Sequence, residues 1–368
     1  MMKICGVIAE YNPFHEGHKY HLVKAKEQTG ADALVVVMSG HFVQRGEPAV
    51  FSPYVRAANA LRGGADAVFM MPPEASTSSA EGFAEYGVGL LDKLGCDAIS
   101  CGLEPDYTSD EIEKLGAKLA NESSEFKSRM KELMKTGISY PDALAKSLGT
   151  EKLGPNALLA AEYVKAMIKL KSGMKFVPVT RVGAGYDDTE IRDGEFPSAS
   201  SLRKKLLSGE IKCEDKEAMP LGPDDFLPEI IDSIIRSDDL TQYMDVDEAI
   251  AARLRKSELH YHTFEEMVKD IKTREFTYTR IARAIGHIYL NIRERNKEIS
   301  AAHLIGFSDS DVLSELKKRA SLQIISKAAD YREELSGSAN AAKLYNQVYW
   351  KKYGVELPNL YRQNIVKV

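Results

Sequence analysis

Cysteine is scarce in this chain. There are four in 368 residues, Cys5, Cys96, Cys101 and Cys213. None forms a CxxC pair, which excludes a disulfide framework and a thiolate zinc site and leaves small apolar filler as their reading. Long apolar runs are missing too. The longest, Ala33 to Met38, is strand-sized, whereas a membrane span needs roughly 18 residues. The N-terminus (Met1-Met2-Lys3-Ile4-Cys5-Gly6) enters an apolar run without a signal-peptide cleavage pattern, so a cytoplasmic protein without membrane association is expected. An excess of positive charge is also lacking: 49 Lys and Arg stand against 54 Asp and Glu. Any nucleic-acid partner must then be held by a local patch rather than by a global field. No internal repeat and no low-complexity tract occur.

What is present is a globular composition, 44% hydrophobic and 28% charged, at a length that suits two domains. Short apolar runs alternate with helical patterns. Ile4 to Ala9, Leu34 to Met38, Ala67 to Met71 and Ala98 to Cys101 read as strands. Helices are expected at Glu16 to Thr29, from Ser52-Pro53 to Gly63-Gly64, and at Glu81 to Leu94. Continuous apolar strands separated by helices imply βαβ crossovers and a parallel sheet covered on both faces. Residues 110 to 172 read as helical, Phe176 to Val179 as a strand and Leu202 to Leu207 as helix. Lys212 to Pro228, acidic and proline-rich, suits a linker. Mostly helix is expected from Glu229 to about Glu334, without sustained strand alternation except near the terminus. The expected fold is therefore α/β, with a parallel-sheet domain at 1–211 and a mainly helical C-terminal domain at 212–368.

The most specific local pattern is Tyr11-Asn12-Pro13-Phe14-His15-Glu16-Gly17-His18, where the first strand hands over to the first helix. Ligands of open parallel sheets bind at the carboxyl ends of the strands. A helix N-terminus there offers unpaired N–H groups to a phosphate. Alone, the HxGH pattern suits a phosphate contact and a helix cap equally. A second segment, Ser198-Ala199-Ser200-Ser201-Leu202-Arg203, opens a later helix with hydroxyls and an arginine one turn on, fit for distal phosphates. Alone, it reads as an ordinary serine cap. No helical HExxH or carboxylate cluster marks a metal held by the protein.

In this order the two segments resemble the paired signatures of the HxGH nucleotidyltransferase superfamily, whose Rossmann-like parallel sheet is the fold implied. Val7 to His21, with Met38-Ser39-Gly40-His41-Phe42-Val43-Gln44-Arg45-Gly46-Glu47-Pro48-Ala49, is similar to the bacterial tRNA(Met) cytidine acetate ligase family. Ser139-Tyr140-Pro141, Pro155-Asn156, Arg181 before Gly185-Tyr186, Thr277-Tyr278-Thr279-Arg280 and Gly306-Phe307-Ser308 extend the resemblance over nearly the whole chain. Three places depart from the pattern: Tyr54-Val55 before Arg56, Ala157 after Asn156, and Asp187 after Tyr186.

The resemblance implies an ATP site running from the strand end (Val7, Ile8, Ala9) through the turn (Glu10, Tyr11, Asn12, Pro13, Phe14) into the helix (His15, Glu16, Gly17, His18, Lys19, Tyr20), joined by Gly102, Asn156 and Arg181. It implies a ligase that converts ATP and free acetate to acetyl-adenylate, then acetylates N4 of the wobble cytidine of elongator tRNA(Met). His15 and His18 would stabilise charge at the α-phosphate, and Ser200, Ser201 and Arg203 the departing pyrophosphate. Mg²⁺ is expected on the triphosphate, and no obligate protein partner is expected. Arg45 and Glu47 would shape the acetate or cytidine pocket, or pair with each other. The same ATP site would also serve an adenylyltransferase acting on a small phosphorylated metabolite, or a non-catalytic nucleotide-dependent RNA-binding protein.

For tRNA, the stretch Lys272 to Lys297 holds seven basic residues and two acids. Ile281, Ile285, Ile288 and Ile292 should face the core. Arg280, Arg283 and His287 fall on another face, with Lys272 and Arg274 upstream and Tyr278 placed to stack on a base.

Overall fold

The computed structural model describes residues 2–136, 138, 140–148, 153–182, 197–273, 276–296 and 298–368. Short apolar runs give four parallel core strands: β1 (Ile4–Ala9), β2 (Ala33–Met38), β3 (Ala67–Met70) and β4 (Ala98–Ser100). Alternate residues of β2 enter different cores. Ala33, Val35 and Val37 pack with Phe83 and Leu90 on one face, and Leu34, Val36 and Met38 with Leu22 and Ala57 on the other. Both faces of the sheet are thus covered, as a crossover sheet requires.

The remaining strands are β5 (Gly102–Leu103), β6 (Lys175–Phe176), β7 (Val179–Thr180), β8 (Ala301–Phe307), β9 (Gln323–Ile325) and β10 (Val366–Lys367). The main sheet runs β10-β8-β3-β2-β1-β4-β6, with β9 also on β8, while β5 and β7 form a separate pair. The strand expected at Phe176 to Val179 is split in two, because Pro178 has no N–H to continue the ladder.

The larger difference is β8. The sequence pattern predicts mostly helix from Glu229 to Glu334, yet Ala301–Phe307 lies in the sheet, antiparallel to β3, which makes the sheet mixed. Its central residues are buried on both faces, so the run shows no alternation by which to tell strand from helix.

A helical unit has its own core, built on Phe226, Ile230, Ile285 and Tyr345. Phe42, from the loop after β2, inserts into that core, its ring 5.7 Å from Phe226 and 6.1 Å from Tyr289. No helix among the described residues is long and apolar enough to cross a membrane.

Strand order places β1 between β2 and β4, with crossovers leaving in opposite directions. A crevice forms at the carboxyl end of such a switch point.

Candidate active site

A cleft of about 310 Å³ opens at that switch point. Its walls include the β1 end, the Glu16–Thr29 helix start, the loop after β2, Gly102, Asn156 and Arg181, and the Pro197–Ser200 segment with Arg203.

His15 is the N-cap of the Glu16–Thr29 helix, and its Nδ1 accepts from Gly17 N–H at 3.1 Å. His18 Nδ1 accepts from His15 N–H at 3.3 Å, and the two rings stack 3.8 Å apart. A neutral imidazole whose Nδ1 accepts carries its proton on Nε2, so each ring keeps one N–H donor beyond the cap. Burial, Arg181 and Arg203 push His15 down to about 4. Burial, His15, His21 and Arg181 hold His18 well below the ordinary imidazole range. The pair is therefore neutral at pH 7. The cap uses Nδ1 of each ring, so the capping reading of HxGH and its phosphate-donor reading do not exclude one another.

The second motif arrives from the Ala199–Leu207 helix, capped by Ser198. Arg203 Nη1 donates to Asn12 O at 2.5 Å, and Nη2 to Ser200 Oγ at 3.0 Å. The guanidinium thus joins the two motifs across one cleft. Ser201 departs from expectation: it is buried outside the walls, and its N–H is bonded to Ser198 Oγ. A residue at the third helical position supplies its N–H to the cap while its side chain turns inward.

Four residues expected at the nucleotide also lie outside the walls. Phe14 packs edge-on against Tyr11 with Pro13 buried beside it, and Glu16 and Lys19 are exposed and pair at 3.9 Å. Gly102, Asn156 and Arg181 do line the cleft. A Cβ on Gly102 would stand 3.2 Å from Arg181 Cγ, so its lack of a side chain makes room for that arginine. Arg181 Nη1 donates to Asn156 Oδ1 at 3.2 Å. Asn156 in turn donates both its backbone N–H and Nδ2 to Glu104 Oε1, each at 2.9 Å.

Glu104 is thus a supporting residue that sequence reading missed, although it follows Gly102 by two positions. His21 was missed as well. It lines the cleft within 3.2 Å of Ser100 Oγ, and its signal was the i+3 spacing from His18. Beneath the site, the fully buried Arg56 donates to the carbonyls of Glu10, Gly40 and Phe51, tying the β1 and β2 ends together. Of the departures from the family pattern, Ala157 is fully buried in its helix, whereas Asp187 lies outside the described residues, as do Ser139, Gly185 and Tyr186.

The expected RNA face is divided. His287 is completely buried, bonded to Met244 O and Thr77, because its position on the Tyr278–Leu290 helix meets Thr77 rather than solvent. Arg283 pairs with Asp245 at 3.1 Å and is only 17% exposed. Arg280, 39% exposed, pairs with Asp247 at 2.7 Å and lies over the Phe276 ring. Tyr278 is half-buried and packs on the helical core, and Lys272 is exposed. Arg274 and Lys297 lie outside the described residues. Among the described residues no group of three or more His, Cys, Asp or Glu is arranged to hold a metal ion.

Comparison with known proteins agrees with this architecture. A family model described as HIGH Nucleotidyl Transferase matches residues 2–356. The tRNA(Met) cytidine acetate ligase of Thermoanaerobacter sp. (strain X514) is 34% identical over 371 aligned positions, covering 92% of each chain. That of Caldicellulosiruptor saccharolyticus is 31% identical and covers 100% of this chain and 99% of its own. The crystal structure of apo Thermotoga maritima TmcAL superposes with a TM-score of 0.86 over 100% of both chains, at 25% identity. The same protein bound with alpha-thio ATP gives 0.86 at 23% identity, a likeness of fold.

Proposed function

The chain belongs to the HIGH nucleotidyl transferases and, within them, to the tRNA(Met) cytidine acetate ligases, and from that premise we propose how its cleft performs the reaction. Acetate attacks the α-phosphate of ATP, giving acetyl-adenylate and pyrophosphate. The exocyclic amine of the wobble cytidine of elongator tRNA(Met) then takes the acetyl group and releases AMP. Neither step needs a covalent enzyme intermediate, so the protein contributes alignment and charge stabilisation.

The observation that carries this reading is the shared cleft of the two motifs, bridged by Arg203 on Asn12 O. The Nε2–H groups of His15 and His18 donate to α-phosphate oxygens as negative charge builds there. Arg203, held at Ser200, receives the pyrophosphate. Asn156 and Arg181 sit at the β4 side of the cleft, where the nucleoside end packs along Gly102. Mg²⁺ enters with the triphosphate as part of the substrate. The tRNA approaches over the rim where Lys272, Tyr278 and Arg280 lie, and Arg280 exchanges Asp247 for a phosphate. The location proposed is the cytoplasm, where charged nucleotides and tRNA are available.

The test is twofold. The protein should catalyse ATP–pyrophosphate exchange only when acetate is present, and tRNA(Met) incubated with ATP and labelled acetate should yield N4-acetylcytidine on nucleoside analysis. Exchange that ignores acetate and requires a different acceptor would overturn the reading.

A further inference from the structure

The loop after β2 is a short hairpin whose chemistry the reaction so far leaves unused. Phe42 bridges Pro48, Val43 N–H donates to Glu47 O at 2.9 Å, and Gly46 N–H donates to Val43 O at 2.8 Å. Three contacts fix it in place. Phe42 is sunk in the helical core. Gln44 N–H donates to Glu10 Oε1 at 2.9 Å, which ties the hairpin to the β1 end. Gly46, at φ +76°, lies on the Tyr278–Leu290 helix so closely that a Cβ would stand 2.7 Å from Arg283 Cα. Opposite it, a Cβ on Gly286 would stand 2.5 Å from Gly46 O.

This rigid hairpin turns Gln44, Arg45 and Glu47 toward the cleft. Gln44 Nε2 is buried there without a hydrogen-bond partner. A buried donor left unpaired costs about 1–3 kcal/mol, so one on a side chain that lines a ligand cleft calls for an acceptor brought by the ligand. Glu47 supplies the opposite polarity three residues on.

We propose that this hairpin reads the cytosine to be acetylated: the Glu47 carboxylate accepts a hydrogen bond from the exocyclic N4 amine, and Gln44 Nε2 donates to the N3–O2 edge. The proposal rests on the ligase reading above. Cytosine shows one donor and two acceptors on its Watson–Crick edge, and an acceptor–donor pair matches that order. Uracil would set its O4 against the carboxylate and its N3–H against the amide. In an anticodon loop the wobble base is unpaired and free to enter such a wall.

Glu47 then has a second task. The N4 lone pair forms the C–N bond to the acetyl carbonyl carbon. The bond from that carbon to the phosphate oxygen breaks, its electron pair leaving on AMP. The N4 proton passes to the Glu47 carboxylate and from there to solvent. The charged and titratable groups around Glu47 are Arg45 and Arg203, which favour its ionised form, and Glu10, Asp224 and Tyr278. Burial outweighs the two arginines and holds its carboxyl above the usual range, which suits a base.

The experiment separates the two half-reactions. Glu47→Gln should keep acetate-dependent exchange within about threefold of the unmodified chain, lose acetyl transfer by about 100-fold or more, and lose the rise of transfer with pH. Gln44→Leu should raise KM for tRNA by about tenfold, leaving KM for ATP and acetate unchanged. Wobble-position 3-deazacytidine, which lacks the N3 acceptor, should impair the unmodified protein by a similar factor and Gln44→Leu no further. The response of the unmodified protein does not depend on any variant folding. Variants that lower exchange as much as transfer, or an unmodified protein indifferent to the loss of N3, would overturn the proposal. An unmodified protein without acetate-dependent exchange overturns the ligase reading instead, which is a separate outcome.

Discussion

Arg203 and Asn12 are 191 residues apart in the chain, yet the guanidinium of one donates to the carbonyl of the other at 2.5 Å. That bond closes the cleft between the two nucleotide motifs. It makes Arg203 part of the loop that carries His15, so a change at either end is felt at both.

Replacing His18 with alanine removes one Nε2–H donor and one side of the imidazole stack. The fold should survive, since the helix keeps its His15 cap. Adenylate formation should fall by about 100- to 1,000-fold, the usual cost of one oxyanion donor. Acetate-dependent pyrophosphate release measures this, and near-normal release would remove His18 from the reaction.

Glu104→Ala frees the amide of Asn156 and leaves Arg181 without a fixed partner. Two hydrogen bonds to one carboxylate oxygen are lost, and KM for ATP should rise by about tenfold with a smaller change in kcat. An unaltered KM with lowered kcat would instead place Glu104 among groups that act only in the transition state.

Burial lowers the pKa of six imidazoles in the folded chain, His18 and His287 among them. His15, His21 and His303 are pushed down to about 4, and His41 to about 3, burial being the first cause in each. An unfolded imidazole titrates near about 6.5, so between these values the unfolded chain binds more protons. Their contribution to stability is complete above about pH 6.5 and is lost as pH falls toward 4. The urea midpoint should therefore be lower at pH 5 than at pH 7.5. His303→Leu removes one of these groups, whose Nδ1 has no partner, and should make the decline shallower. A midpoint that does not fall at pH 5 would contradict this account.

The arginines of the helical rim should separate by exposure. Arg280→Ala should weaken tRNA binding and reduce its salt slope by about one. Arg283→Ala, with Asp245 left behind in a mostly covered pair, should instead lower thermal stability and leave the slope alone. Filter binding at two salt concentrations and thermal unfolding distinguish these outcomes.

Gly46→Ala places a Cβ against helix backbone at a residue with φ +76°. Strain of this kind costs about 1–3 kcal/mol. The melting temperature should drop by several degrees, and acetyl transfer should suffer more than exchange, since the hairpin carries the cytosine-facing side chains.

The sequence alone determined the strands β1 to β4, the helices between them and the two motif segments, because each of these is written in a local period, a cap or a turn. The Glu16–Thr29 helix and the Ser52-Pro53 start are found where those signals put them. Long-range packing decided the rest. β8 is a short run buried on both faces, so only its pairing with β3 makes it a strand. Ser201 faces inward and His287 meets Thr77 because neighbours distant in the chain arrive there. The partners of Arg280 and Arg283 come from another turn of chain, so their charge was visible but its neutralisation was not. Local chemistry settles which element forms; which face it turns to solvent, and what meets it there, is fixed only when the elements close on one another.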